Sequence, residues 1–297
     1  MATLKEIKDR IHSVQSTRKI TSAMKMVSMA KLHKTERMIG HVHTYYHTLH
    51  DMLKVVLNDG KTYQNAFTEE RELKKVALVV LSSNSNLCGS FNTNVAKKLE
   101  QVVQDYEALG KDNILIIPIG KKIAQATFKM GFRVAPEFMH LDSMIDNPDG
   151  EAIAQLSMQM KQLFVEKQVD KIELIYHHAK SKGSQVLELR TLLPLDLKVR
   201  DIIHSATVQD DPHKDYYIIE PDREAILKDL IPAIINIRLH LALLDSNVSE
   251  HTARMMAMQT ATDNADELLD EIKLHYNKLR QQAITNELLD IIGGSID

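Results

Sequence analysis

The sequence predicts an α/β protein of uncommon layout, in which a long antiparallel coiled coil of N- and C-terminal helices carries an open, mainly parallel, Rossmann-like central domain. Three observations predict it. Both ends of the chain read as very long helices, the C-terminal one carries an unbroken heptad stripe, and the stretch between them alternates short apolar runs with helical patterns. The expected division is 1-60 for the first coiled-coil helix, 73-205 for the α/β domain and 220-297 for the last helix, which packs with 1-60.

The first helix opens on a capping box, Thr3-Leu4-Lys5-Glu6, whose hydroxyl and carboxylate can each satisfy a free backbone donor. Leu4, Ile7, Ile11 and Val14 follow at alternating spacings of three and four. Arg18 and Thr21 interrupt the stripe, and Ala23, Met24, Val27 and Ala30 resume it on a rotated face, with Asn58-Asp59-Gly60 as the expected stop. At ~1.5 Å per residue such a helix spans about 80 Å, far beyond the width of a small domain.

The last helix is more regular. Leu230, Ile234, Ile237, Leu241, Leu244, Val248, His251, Met255, Met258, Thr262, Ala265, Leu269, Ile272, Tyr276 and Leu279 alternate four and three without a skip. Pro221 is expected in the first helical turn, and Pro232 is expected to kink or divide the rod. The seam residues shrink at Thr262 and Ala265, which places Ala23 to Ala30 opposite them as an expectation. The two rods also differ in charge: residues 1-57 hold ten Lys/Arg against four Asp/Glu, whereas residues 220-297 hold seven against fourteen. Opposite charge favours their pairing, although each exposed ion pair contributes only about 0 to 1 kcal/mol.

Between the rods the period changes. Lys75 to Leu81 and Ile114 to Ile119 are continuous apolar runs, as expected of strands buried on both faces. Helices are expected at Asn92 to Leu109, at Lys121 to Met130, and from Asn147-Pro148-Asp149 to about Gln168. Two further strands are expected at Lys171 to Tyr176 and Gln185 to Leu192. Residues 205-217 read as a polar loop.

Composition excludes several functions. Aromatic residues make up 5% with no Trp, which disfavours sandwiches and barrels, and the single Cys88 rules out a disulfide framework or thiol-pair control. The N-terminus has no apolar signal core, and no stretch approaches the ~20 apolar residues of a membrane span. Membrane association is therefore expected only through partners. The basic charges of the first helix are spread along its length without interleaved aromatics, so no nucleic acid is expected.

Catalytic signatures are missing as well. There is no GxxxxGK[ST] or GxGxxG motif, and Gly120-Lys121-Lys122 lacks the upstream glycine that phosphate contact needs. The turn from Ser82 to Asn92 lies at the carboxyl end of a strand, where α/β ligands bind, but reads as a tight connection. Cys88 has no sequence-local base to activate it. His43, His47 and His50 share a helical face at ligand-like spacing, yet no Cys or acidic cluster joins them. No catalytic residue, cofactor or metal site is assigned. At the far end, Arg280, Gln281, Thr285 and Glu287 precede Leu288, Leu289, Ile291 and Ile292, an apolar tip that implies a socket in another molecule.

Three separated segments resemble the gamma subunit family of F-type (rotary) ATP synthases. Leu4 to Lys8 with Ser13 to Val27 resembles the family's N-terminal signature. Glu250 to Met258, Ala261 to Ala265, and Tyr276 to Gln281 with Glu287 resemble its C-terminal signature. Leu87-Cys88-Gly89 with Phe91-Asn92, and Tyr217 to Asp222, resemble its middle segments. The resemblance implies a non-catalytic rotor shaft that couples ion-driven rotation of a membrane rotor to ATP synthesis or hydrolysis at beta-subunit sites. It implies three alpha and three beta subunits, an epsilon subunit and a membrane c-ring as partners, at the cytoplasmic face of a bacterial inner membrane.

Residue roles implied by the resemblance are partner contact and coupling. Met24 matches a methionine near a beta lever, and Arg280 and Gln281 match a polar pair on a beta loop. Arg254, Thr285 and Glu287 match coupling positions, and Glu220 an acidic residue at the shaft's foot. Four departures stand out: Asn84-Ser85-Asn86 replaces the usual Asp-Arg/Lys-Gly, and Ser22, Lys25 and Ile219 replace a Lys, an acidic residue and a tyrosine. The alternative is a non-rotary coiled-coil scaffold, which would show the same seam without this polar pair and apolar tip.

Overall fold

The computed structural model describes residues 3-57, 65-181, 184-196 and 217-293. The expected stop at Asn58-Asp59-Gly60 and most of the 205-217 loop lie outside them. Besides three short 3-10 helices, ten α-helices and β-strands follow in order among the described residues: α1 (Leu4–Leu57), β1 (Val76–Leu81), α2 (Phe91–Asp105), β2 (Ile114–Ile119), α3 (Lys121–Lys129), α4 (Ser143–Asp146), α5 (Gly150–Val165), β3 (Lys171–Ser181), β4 (Ser184–Leu193) and α6 (Arg223–Gly293).

The α1 start is the capping box: Glu6 N donates to Thr3 Oγ1 at 3.3 Å, and Thr3 N donates to Glu6 Oε2 at 2.7 Å. At the other end Arg223 Nη1 donates to the free carbonyls of Val55 and Val56 at 2.9 and 2.7 Å, closing α1 with a cation where the helix dipole is negative. The rods run antiparallel, since Thr21 meets Thr262 and Arg18 meets Asp266. The seam residues of α6 are buried or half-buried from Leu230 to Leu279. Arg18–Asp266 is the ion pair that joins the rods among the described residues, and both side chains are about half exposed. Apolar burial, not charge, therefore dominates the pairing.

One proline reading is corrected, and of the two outcomes expected at Pro232 the division is excluded. Pro221 precedes the helix, because Asp222 is its cap: Ala225 N donates to Asp222 Oδ1 at 2.8 Å. Pro232 lies inside α6 without dividing it. The register also shifts one expectation. Thr262 faces Thr21, so residues 23-30 run beside the stretch of α6 N-terminal to Thr262, and the expected stripe is corrected there: Ala23, Val27 and Ala30 are exposed, whereas Thr21, Ser28 and Thr35 are buried, with Met24 half-buried.

The sheet order is β2-β1-β3-β4, with β4 antiparallel to β3 and the other pairs parallel. Pro118 sits in β2, an edge strand, where its missing N–H leaves no ladder bond unmade. Alternation in β1 divides the core. Val76, Leu78 and Val80 pack with Val95, Leu99 and Val102 of α2 and Ile123 of α3. Ala77, Val79 and Leu81 join a second cluster with α5 and with both rods, through Leu49, Leu53, Leu227, Ile231 and Ile235. The lower rods thus belong to the same apolar core as the sheet. β3 runs five residues past the expected Tyr176 because its second half pairs with β4 and lies against α6. The helix expected from Asn147 starts at Gly150, and a short α4 precedes it.

Candidate functional site

The seven residues singled out from sequence occupy three levels of the shaft rather than one pocket. Glu220 is exposed just before α6, at the foot. Met24 and Arg254 line one groove of about 420 Å³ between the rods and the α/β domain, together with Asn84, Asp146 and Glu250. Arg280, Gln281, Thr285 and Glu287 lie at the far tip, roughly 45 Å beyond Arg254 along the helix.

The tip is a single helix. With Arg18 opposite Asp266, the start of α1 at Leu4 falls opposite about residue 280, and α6 continues alone for roughly 20 Å to Gly293. Every side chain from Arg280 to Leu289 is exposed. Ile284, Leu288 and Leu289 expose 49%, 55% and 60% of their surface, so the apolar residues of this stretch are not covered by its own chain among the described residues. Thr285 Oγ1 donates to Gln281 O at 2.9 Å, so its hydroxyl is tied to its own helix.

The middle level is polar and buried. Between residues 242 and 254, α6 is covered by α1 on one side and by β3 and β4 on the other. Ser249 Oγ donates to His177 O at 3.2 Å, and Gln185 Nε2 donates to Ser249 O at 2.7 Å. Asp245 Oδ2 lies 2.8 Å from His178 Nδ1. Burial pushes the Asp245 carboxyl up, more strongly than its contacts with His178, His43 and Arg190 pull it down. Arg254 is 9% exposed. Its Nε donates to Glu250 Oε1 at 2.8 Å, its Nη2 to the same oxygen and to Ser85 Oγ at 2.9 Å, and its Nη1 to Asn86 O. For Glu250, burial pushes upward, but contacts with His251 and then Arg254 outweigh it and hold the carboxyl below its ordinary value. Removing one partner of such a buried pair costs about 3 to 5 kcal/mol.

The Asn84-Ser85-Asn86 turn, which departs from the family pattern, is therefore bound to the shaft. Sequence reading missed this contact. Its available signal was the Glu250-x-x-x-Arg254 spacing, which pairs the two side chains on one helix face.

The crevice where α/β domains bind phosphates is filled from within. Three amides at the α3 N-terminus are taken by the turn after β1: Lys121 N donates to Asn84 Oδ1 at 3.0 Å, Lys122 N to Ser83 O at 3.2 Å and Ile123 N to Ser82 Oγ at 2.9 Å. Gly120 has φ +114°, and a Cβ there would lie 2.3 Å from Ser82 O. Cys88 is buried and accepts from Asn92 Nδ2 at 3.2 Å, a packing role. His43 stacks on His47, but His50 is buried rather than part of a solvated face. Among the described residues no three His, Cys, Asp or Glu side chains are grouped to hold a metal ion.

A family described as ATP synthase matches residues 3–296. An ATP synthase gamma chain from Bacteroides fragilis strain YCH46 is 49% identical over 300 residues, covering 100% of both chains, and one from Phocaeicola vulgatus is 44% identical with the same coverage. The chain belongs to the ATP synthase gamma chain family. Solved structures agree in fold with this gamma-family chain. The rotor of Euglena gracilis mitochondrial ATP synthase superposes with a TM-score of 0.61 at 18% identity, over 95% of this chain and 98% of that one. A chain from the Tetrahymena thermophila mitochondrial central stalk and c-ring gives 0.56 at 22% identity, over 82% and 99%. Family membership covers the whole gamma-type layout of rods and body.

Proposed function

We propose that the chain is the central rotor shaft of a bacterial ATP synthase, a non-catalytic subunit that couples ion-driven rotation to ATP synthesis or hydrolysis in neighbouring beta subunits. The observation that carries this reading is the bare, apolar helix tip projecting beyond its partner rod. Such a tip fits a bearing formed by a ring of three alpha and three beta subunits. Arg280, Gln281, Thr285 and Glu287 then meet beta loops, Met24 lies at the lower contact level, Arg254 acts from inside the chain at that level, and Glu220 sits at the foot. The α/β body is the part that meets the epsilon subunit and the c-ring.

Coupling needs only that the shaft contact the three beta sites differently. A single asymmetric rod inside a threefold ring does so at every angle, and differential contact is what shifts each site between affinities. The filled crevice at the α3 N-terminus supports a body without bound nucleotide. No helix among the described residues is long and apolar enough to cross a membrane. Attachment through partners at the cytoplasmic face of the plasma membrane accords with this. Co-purification with alpha and beta subunits tests the role: one copy per three alpha-beta pairs is expected, and a stable chain that never enters such a complex contradicts it.

A further inference from the structure

We infer that Arg254 is a polar joint that stiffens the passage of torque between the α/β body and the shaft, with the Asn84-Ser85-Asn86 turn as its seat, an inference that rests on the shaft reading above. Interdigitated apolar packing of α6 against the body already resists rolling along the shared core. Bonds with direction add to that resistance at named points. On the face of α6 toward the body, the described polar bonds run from Asp245 through Ser249 to Arg254.

Arg254 differs from the others in engaging three groups at once. Its planar fork meets the Asn86 carbonyl, the Ser85 hydroxyl and the Glu250 carboxylate, which fixes both the position and the tilt of the guanidinium. Glu250 belongs to the same helix at i−4, so the fork is braced against the shaft before it reaches the body. A lysine could supply the charge but not the fork.

The seat is equally well tied. Asn84 Nδ2 donates to Asp142 O and to Asp146 Oδ2, both at 2.8 Å, while its Oδ1 receives Lys121 N from α3. Ser83 N donates to Asn92 Oδ1 at 3.0 Å, which binds the turn to α2. Ser85 and Asn86 are exposed residues, yet Arg254 and Asn84 hold the turn from both sides. Load applied to the body therefore has a continuous path of directional bonds, from α3 and α4 through Asn84 to Ser85 and Asn86, and through Arg254 into α6. Satisfied polar networks of this kind rigidify the parts they join.

The test is torsional stiffness in the assembled complex. The alpha-beta ring is immobilised, a bead is fixed to the α/β body, and angular variance is recorded in the stalled state for wild type, Arg254→Lys and Asn84→Ala. Each variant is expected to widen the variance about twofold, the change that follows when half of the torsional stiffness is lost with the network. The double variant should be no wider than the wider single, because both interrupt one path. Variances equal to wild type, or effects that simply add, overturn the joint. Arg254→Lys keeps the charge beside Glu250, and Asn84→Ala removes no charge, so neither orphans a buried ion. A wild-type complex whose bead never turns under ATP removes the shaft reading itself, whereas a turning wild type with unchanged variants removes only the joint.

Discussion

Thr21 Oγ1 and Thr262 Oγ1 lie 2.8 Å apart across the seam, a hydrogen bond between residues 241 positions apart in sequence. Each hydroxyl also reaches a carbonyl of its own helix, Arg18 O at 3.0 Å and Met258 O at 2.8 Å. One proton per hydroxyl cannot serve both partners at once. One hydroxyl therefore donates across the seam while the other accepts there and donates to its own helix carbonyl, and the pair marks the register at a point where the apolar stripe is interrupted. Replacing Thr262 by Val is expected to destabilise the seam by about 1 kcal/mol, and Thr21→Val with Thr262→Val to cost less than the sum of the singles. Hydrogen exchange of the neighbouring amides reads both effects, and strict additivity would refute the shared bond.

Gly120 joins β2 to α3 at φ +114°, with Ser82 O in the space a side chain would need. Gly120→Ala should cost about 2 kcal/mol or more, from backbone strain and the collision together. The readout is the midpoint of denaturant unfolding, and an unchanged midpoint would contradict the close packing of this crevice.

Acid should loosen the protein in two ranges. Burial lowers His177 to about 4, and burial together with Lys54 and Arg238 lowers His50 to about 4. Both have depressed folded values, so their contribution is present above 6.5 and is lost as pH falls towards 4. Glu250 is also depressed, and its contribution is lost only below the ordinary 4.5, as pH falls through its folded value. Unfolding free energy measured against pH should therefore decline first between 6.5 and 4. His177→Gln with His50→Gln should reduce that first decline, with His43 and His240, which burial also lowers, carrying the remainder, and leave the Glu250 range in place.

Arg280→Ala with Gln281→Ala should lower the coupled ATPase of a reconstituted complex while assembly stays detectable. Both side chains are exposed on a helix that makes no use of them internally, so the change falls on partner contact rather than on folding. Activity equal to wild type would remove these two residues from the coupling set.

Much of this was legible in the chain because it followed period. The heptad stripe from Leu230 to Leu279 predicted the buried face of α6, and the runs at Lys75 to Leu81 and Ile114 to Ile119 predicted β1 and β2. The capping box at Thr3 predicted the start of α1. What was not legible depends on contacts between distant segments. The Arg254 seat brings together residues 168 and 169 positions apart, and the Asp245–His178 contact spans 67. Helical pattern alone could not show that α6 is enclosed on both sides near residue 250. Pro221 was misread for a local reason, since Asp222 competes with it as the helix start and wins by capping Ala225.

The most direct measurement of the shaft reading is rotation itself. With the alpha-beta ring fixed to a surface and a probe on the α/β body of this chain, ATP should drive turning in one direction, at a rate that follows hydrolysis. Complexes that hydrolyse ATP while the probe remains at a fixed angle would contradict the account.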